Sequence, residues 1–383
     1  MKVYLDYNST VPSDPEHLRE VFNLVEQADG NPSNIHYAGR AGKAQLEKSR
    51  RRLASLLKIK PATLFFNSGA TEGNNHIIQS FVESNLSESP CIILSEGEHS
   101  AVYETVRKYE KLGMTDVAFV PLKPSGQVCV EGLIEAVNSV LSKNKDTPLL
   151  VTTIYINNET GVINPVEEIA KKLNAINQDI FYHVDAVQAL GKVRWDFLEN
   201  SAVSSMVVSA HKIGGLKGIG ALYLKNSSLL AAQLLGGGQE RNLRSGTENL
   251  PGVISFGLRA EYLEKNSDWL DNARILFDLL IHKLMQIGGV VIHGDLNLSS
   301  KTTVNFHIEN KTLETINLQL DMADIAVSNG SACSSGLPKP SRVLVAMGID
   351  KQAASNSLRV SLGESTNEDE INYFVETLRN ALV

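Results

Sequence analysis

An alternation of apolar runs and helix-length stretches constrains this chain more than any single residue does. Through its first two thirds, short runs rich in β-branched or aromatic residues recur: TLFFNS, CIILSE, VAFVPL, LLVTTIYIN, IFYHVD, SMVVSAHK and GALYLK. Longer stretches with helical periodicity, such as GRAGKAQLEKSRRRLASLLK, SAVYETVRKYEKLG and PVEEIAKKLNAIN, lie between several of them. Strands that alternate with helices are joined by crossovers, and this favours a mostly parallel sheet in an α/β fold. The runs are continuously apolar rather than apolar at every second residue, so both faces of the sheet are expected to be covered.

The texture changes after residue 250. One long helical stretch, SFGLRAEYLEKNSDWLDNARILFDLLIHKLMQIG, precedes strand-like VVIHG and TTVNFHI, and NEDEINYFVETLRNALV reads as a terminal helix. With 383 residues the chain is too long for one small core, so a second, smaller α+β domain is expected there.

Composition excludes several classes. The formal net charge of -7 gives no general attraction to nucleic acid. No apolar run approaches the roughly 18 residues of a membrane span. The start, MKVYLDYNSTVP, has neither the layout of a secretion signal nor that of a transit segment. The expected location is cytoplasmic. The three cysteines, Cys91, Cys129 and Cys333, include no C-x-x-C pair, which argues against a cysteine-based zinc site and a disulfide framework. Cys91 in CIIL and Cys129 in QVCVEGL read as buried, inert strand residues. Cys333 differs. It stands in SNGSACSSGLPKP, flanked by Gly330 and Gly336 and followed by Pro338 and Pro340, and reads as part of an exposed loop. Taken alone it fits an incidental surface thiol.

Ligands of open α/β sheets gather at the carboxyl ends of the strands, so the polar groups that follow each run are the candidates. NSGATEGNN, just after TLFF, puts backbone N–H groups and hydroxyls at a helix start, suited to a phosphate, although a plain N-cap by Ser68 or Thr71 explains it equally. Glu98 and His99 follow CIIL, where a lone histidine is more often structural or merely exposed, and NNETG follows LLVTTIYI, where it also reads as a polar turn with Gly161. Asp185 ends IFYHVD, where a carboxylate needs a partner such as a protonated pyridine nitrogen, or else caps the next helix with Gln188. Lys212 ends SMVVSAHK before a Gly-rich loop. Desolvation there would favour a neutral amine that can form an imine with an aldehyde, whereas a surface lysine would simply snorkel. A phosphate cradle, an aromatic ring, a strand-end aspartate and a strand-end lysine together suit one cofactor, pyridoxal 5'-phosphate.

At this point the chain resembles the cysteine desulfurases of the NifS/IscS type, within the class-V aminotransferases and the fold-type I pyridoxal-phosphate enzymes. The motifs YLDYNSTVP, GNPSNIHYAGR, SGATEGNN, NNETGVINP, HVDAVQALGK, SAHKIGGLKGIGALY, GGGQERNLRSGTEN, SNGSACSSG and LRVSLG carry the resemblance nearly end to end. It implies a large domain over 15–250 with a mostly parallel seven-stranded sheet, and a smaller α+β domain from 1–14 and 251–383 that carries the Cys333 loop. It implies Lys212 as the lysine that holds the cofactor, Asp185 on the pyridine nitrogen, Gln188 on the ring hydroxyl and His99 over the ring. Ala70, Thr71, Ser209 and His211 would hold the phosphate, joined by Thr247 from a second subunit of a homodimer. Asn158 and Arg359 would bind the substrate carboxylate. Cys333 would attack the sulfur of L-cysteine, release alanine and carry a persulfide to an acceptor, an iron–sulfur scaffold or a thiolation protein. No resident metal is implied, beyond Cys333 as a transient iron–sulfur ligand. His99 or the substrate's own groups would deprotonate Cys333. A selenocysteine lyase or an aminotransferase shares much of this pattern, but an aminotransferase has no use for Cys333. One departure is GGLKG after Lys212, where the family usually has Gly-Pro-Lys-Gly.

Overall fold

The structure, a computed structural model, describes residues 1–196, 198, 201–227, 230–329 and 340–382. Cys333 therefore lies outside the described residues. After a short strand β1 (Val3–Tyr4), the apolar runs become β2 (Leu64–Asn67), β3 (Cys91–Ser95), β4 (Asp116–Val120), β5 (Leu149–Ile154), β6 (Phe181–Asp185), β7 (Val203–Ser209) and β8 (Gly220–Leu224). They form one seven-stranded sheet in the order β2-β8-β7-β6-β5-β3-β4. All neighbours are parallel except β8, which is antiparallel to both β2 and β7. The helices α1 (Pro15–Glu26), α2 (Tyr37–Leu56), α3 (Ala70–Ser84), α4 (Ser100–Lys111), α5 (Val130–Lys143), α6 (Val166–Ile176) and α7 (Leu250–Lys265) accompany it.

Strand parity divides the apolar residues between two layers. Phe66, Ile93, Val151, Tyr182, Val184, Met206 and Val208 face a core shared with α2 and α7. Phe65, Ile92, Leu94, Leu150, Phe181, Val207 and Leu222 face another, shared with Ile77 and Ile78 of α3. Both faces are covered, as continuous apolarity requires. The same parity puts His183 and Asp185 on the α3 side. Register then aligns the strand ends: Asp185 lies opposite Ile154 and Val207, while Ser209 and Asn67 both lie opposite Gly220.

The second unit contains α8 (Trp269–Leu284), β9 (Val290–His293), β10 (Thr303–Ile308), α9 (Leu313–Met322), β11 (Ile325–Ala326), β12 (Ser328–Asn329), α10 (Arg342–Ala346), α11 (Lys351–Ser355), β13 (Leu358–Ser361) and α12 (Glu368–Asn380). Its antiparallel sheet runs β12-β13-β10-β9, and β1 pairs with β11. Val3 and Leu5 join Phe277, Phe306, Val360 and Phe374 in a core of their own. The long helical stretch expected after residue 250 is broken at 266–268, where Asn266 closes α7 and Asp268 opens α8. Val253, Ile254 and Phe256 of α7 belong to the first core. Cys91 is the buried first residue of β3, where burial pushes its thiol up to about 11. Cys129 is not on a strand: it is the half-buried N-cap of α5. Among the described residues, no helix is long and apolar enough to cross a membrane.

Candidate active site at the carboxyl ends of the strands

A cavity of about 640 Å³ opens where β5, β6 and β7 end, and Ala70, Thr71, His99, Asn158, Asp185, Gln188, Ser209, His211, Lys212 and Arg359 all line it. Asn8, Ser9, Thr10 and Asn74 line it as well.

One end is built from a helix start. The chain leaves β2 through Ser68 and Gly69, and α3 begins at Ala70. The first-turn N–H groups of such a helix have no intrahelical acceptor and face the cavity as anion donors. Gly69 has φ +154°, and a side chain there would meet nothing within 4 Å, so the turn leaves an open cradle. The Asn67 side chain accepts from the Gly69 N–H at 3.0 Å, and Glu72 accepts from the Ser68 N–H at 2.9 Å. Arg244 braces Glu72 at 2.9 Å and helps hold its carboxyl below the ordinary range against the opposing effect of burial.

Asp185 is 2% exposed and ends β6. One of its oxygens accepts from the Val187 N–H at 3.1 Å, the other from the Asn74 amide at 2.8 Å. Asn74 in turn accepts from Nε2 of His183 at 2.8 Å, and Nδ1 of His183 meets Ser205 Oγ at 2.8 Å. With Nδ1 accepting from the hydroxyl, every proton in the series points toward Asp185, whose oxygens remain acceptors. Burial pushes His183 down to about 3, so it stays neutral. Sequence reading missed both relay residues. The available signal was polarity out of place: His183 interrupts an apolar strand, and Asn74 sits beside Ile77 and Ile78 on the buried side of α3.

Lys212 stands on the 3-10 turn after β7, half-buried. Its Nζ donates to the Asn8 carbonyl at 2.6 Å and the Ser9 carbonyl at 2.8 Å. Gln188 does not cap a helix. Its Nε2 donates to the same Asn8 carbonyl at 2.8 Å. His211 Nδ1 meets Thr10 Oγ1 at 3.2 Å, and burial, then Lys212 and Lys217, push its ring down to about 4. Asn8, Ser9 and Thr10 belong to the motif YLDYNSTVP, and nothing local in the sequence signals what they do.

His99 is the N-cap of α4, and its Nδ1 accepts from the Ala101 N–H at 3.1 Å. That bond places the ring proton on Nε2. Burial lowers the ring's proton affinity; Asp185 opposes this, and Lys212 and Arg342 add to it. His99 is therefore a neutral donor at Nε2.

Arg359, 2% exposed, donates to the Asn158 carbonyl at 3.0 Å, to Asp6 at 2.7 Å and to Ser9 Oγ at 2.8 Å. Its Nε has no partner among the described residues, which leaves one buried donor for an incoming anion. Asn158 takes part in these bonds through its backbone. Thr247 is not in this cavity; it lines a separate hollow of about 130 Å³ that shares Ser68 and Gly218 with it.

The donors and acceptors fit a phosphorylated pyridine aldehyde. The cradle at Gly69 suits the phosphate, the oriented Asp185 oxygens suit a pyridinium N–H, and Lys212 supplies an amine. The pattern for the aminotransferase class-V family matches residues 3–374. A cysteine desulfurase IscS of Dictyoglomus turgidum is 34% identical over 385 residues, covering 100% of this chain and 94% of that protein. A solved structure of a NifS-like protein superposes with TM-score 0.90 at 31% identity, covering 100% of this chain and 99% of that one. The structure described as SspA in complex with cysteine gives TM-score 0.81 at 28% identity, covering 94% and 99%.

Proposed function

The chain belongs to the aminotransferase class-V family, whose enzymes use pyridoxal 5'-phosphate, and from that premise we propose that it is a cysteine desulfurase. It converts L-cysteine to L-alanine and holds the sulfur as a persulfide on Cys333 for an acceptor protein. The observation that carries this reading is the meeting of Lys212, Asp185, the helix start at Ala70 and Arg359 in one cavity. Relatives over the full chain are named cysteine desulfurase.

Bound pyridoxal 5'-phosphate supplies an aldehyde that captures amines and a ring that accepts electrons. The residues do the rest. Ala70, Thr71, Ser209 and His211 receive the phosphate, and Asp185 keeps the ring nitrogen protonated by accepting from it. Arg359 takes the substrate carboxylate through its unpartnered edge. Lys212, held on two carbonyls, is the amine placed to move the proton of the substrate's α-carbon. His99 caps α4 and donates at Nε2. An imidazole that already carries its cavity-side proton is a poor base, so deprotonation of Cys333 falls to the substrate's own groups. The Cys333 thiolate then attacks the substrate sulfur. An S–S bond forms, the carbon–sulfur bond breaks, its electron pair stays with the carbon, and that carbon takes a proton to become alanine.

The protein acts as a homodimer in which Thr247 completes the phosphate site of the other subunit; its place outside the chain's own cavity supports this. The acceptor is an iron–sulfur scaffold or a thiolation protein. The test is alanine release from L-cysteine with a reductant. Wild type releases alanine, Cys333→Ala loses the activity but stays yellow, and Lys212→Ala is colourless. Wild type without alanine release, or full activity in Cys333→Ala, overturns the assignment.

A further inference from the structure

Lys192 lies beneath the cavity, four residues after Gln188 and behind Asn8, and no step above uses it. Its Nζ donates to Gln188 Oε1 at 3.2 Å and to Asn8 Oδ1 at 3.2 Å. Each amide is held at its other end too. Gln188 Nε2 donates to the Asn8 carbonyl at 2.8 Å, while Asn8 Nδ2 donates to the Asn158 carbonyl at 3.1 Å and to Thr303 Oγ1 at 2.9 Å. A side-chain amide has two nearly isosteric orientations, and only its partners select one. Here one amine meets both amide oxygens. Gln188 is thereby left with its second N–H, a donor, for the cavity it lines.

We propose that Lys192 is a positioning residue that locks the amide of Gln188, and with it Asn8, so that Gln188 presents N–H rather than C=O to the ring hydroxyl of the bound cofactor. The inference rests on the pyridoxal-phosphate reading above. The environment suits the task. Burial, then the charges of Lys212 and Arg359, push the Lys192 amine down to about 7. Above that pH it is neutral, and its two N–H groups match the two carbonyl oxygens it meets. It adds no fixed charge beside Lys212. With Lys192 gone, Oε1 of Gln188 loses its donor and the amide keeps only its bond to the Asn8 carbonyl, so its second N–H is held less firmly on the ring hydroxyl.

The test is the pH titration of the visible band of the bound cofactor, read on the purified holoenzyme, with cofactor content and thermal midpoint measured alongside. An N–H on the ring oxygen stabilises its anion and eases loss of the neighbouring proton. In Lys192→Met the band's pH midpoint therefore moves upward by about one unit, the size of one hydrogen bond gained or lost. Lys192→Arg, which keeps donors for both amides, restores most of it. In the Gln188→Ala background, Lys192→Met has no further effect, because the lysine acts through that amide. An unmoved midpoint in Lys192→Met, or an equal shift with and without Gln188, overturns the proposal. A purely structural role would lower the thermal midpoint and leave the band's titration in place. A wild-type protein that takes up no pyridoxal 5'-phosphate sinks the cofactor reading itself, which is a separate result.

Discussion

Replacing Arg50 by Met tests how the loop beside the start of α3 is held. Arg50 is 3% exposed and Glu240 is 7% exposed. Their forks meet at 2.8 and 2.7 Å, the Phe66 N–H donates to the same carboxylate at 2.7 Å, and Arg50 also donates to the Leu64 carbonyl at 2.9 Å. The pair therefore ties α2 to β2 and to the loop that carries Arg244 and Thr247. That loop needs tying, because Glu240, Arg241 and Asn242 all have positive φ, at 47°, 56° and 68°. Left-handed backbone costs a non-glycine residue about 1 kcal/mol or more. Met fills much of the volume of Arg50 but leaves a buried carboxylate with one backbone donor. Breaking a buried pair from one side costs about 3–5 kcal/mol, a large part of the roughly 5–15 kcal/mol that holds a typical protein folded. The urea midpoint should fall accordingly. Cofactor should also dissociate faster, since Arg244 braces Glu72 at the start of α3. Arg50→Met with Glu240→Gln removes the stranded charge and should recover a good part of the loss. A loss under about 1 kcal/mol in Arg50→Met, or a double variant no more stable than the single, would refute the reasoning.

Acid should unfold the protein partly through His183. Its folded value, about 3, lies below the ordinary 6.5, so between them only the unfolded chain takes the proton. The stability it contributes is complete above the ordinary value and is lost as pH falls, by about 2 kcal/mol near pH 5; His183→Gln should flatten that part of the thermal midpoint–pH curve, and an unchanged curve counts against it. Arg359→Lys keeps the charge but loses the planar fork, so KM for L-cysteine should rise about tenfold or more with cofactor content unchanged; a KM within twofold of wild type would sink the carboxylate role. His99→Asn keeps a cap acceptor and a donor, so the acid limb of the alanine-release profile should stay in place. A limb that vanishes in this variant would restore His99 as the base for Cys333.

What the sequence made legible follows from which signals are local. All seven strands of the large sheet were readable because each is a continuous apolar run. The polar residues that end those runs pointed to the cavity for the same reason: Asp185 and Lys212 interrupt apolar patterns where a sheet collects its ligands. Local patterns also misled. The alternation in QVCVEGL resembles a strand, yet Cys129 caps a helix, since the apolar Val130, Leu133 and Val137 behind it follow helical spacing. Apolar periodicity ran across 266–268 and hid a break that N-S-D marks chemically. Asn8, Ser9 and Lys192 were beyond reach for a different reason. Their partners lie far along the chain, and no local pattern encodes that Lys212 leans on carbonyls 203 and 204 positions away.

That long reach has a consequence for how the site forms. Asn8 N donates to Ser361 Oγ at 2.9 Å and its side chain reaches Thr303, both in the antiparallel sheet of the second unit. Its carbonyl receives Lys212 and Gln188 from the loops that follow the parallel strands. Arg359 on β13 closes the same junction by bonding Asp6 and Ser9. Lys212 is thus positioned by a segment whose own place is set by the other core. Either core folded alone would leave the Lys212 amine without the two carbonyls that hold it. The arrangement around Lys212 therefore depends on bonds from both cores, and the segment from Asp6 to Thr10 is where those bonds meet.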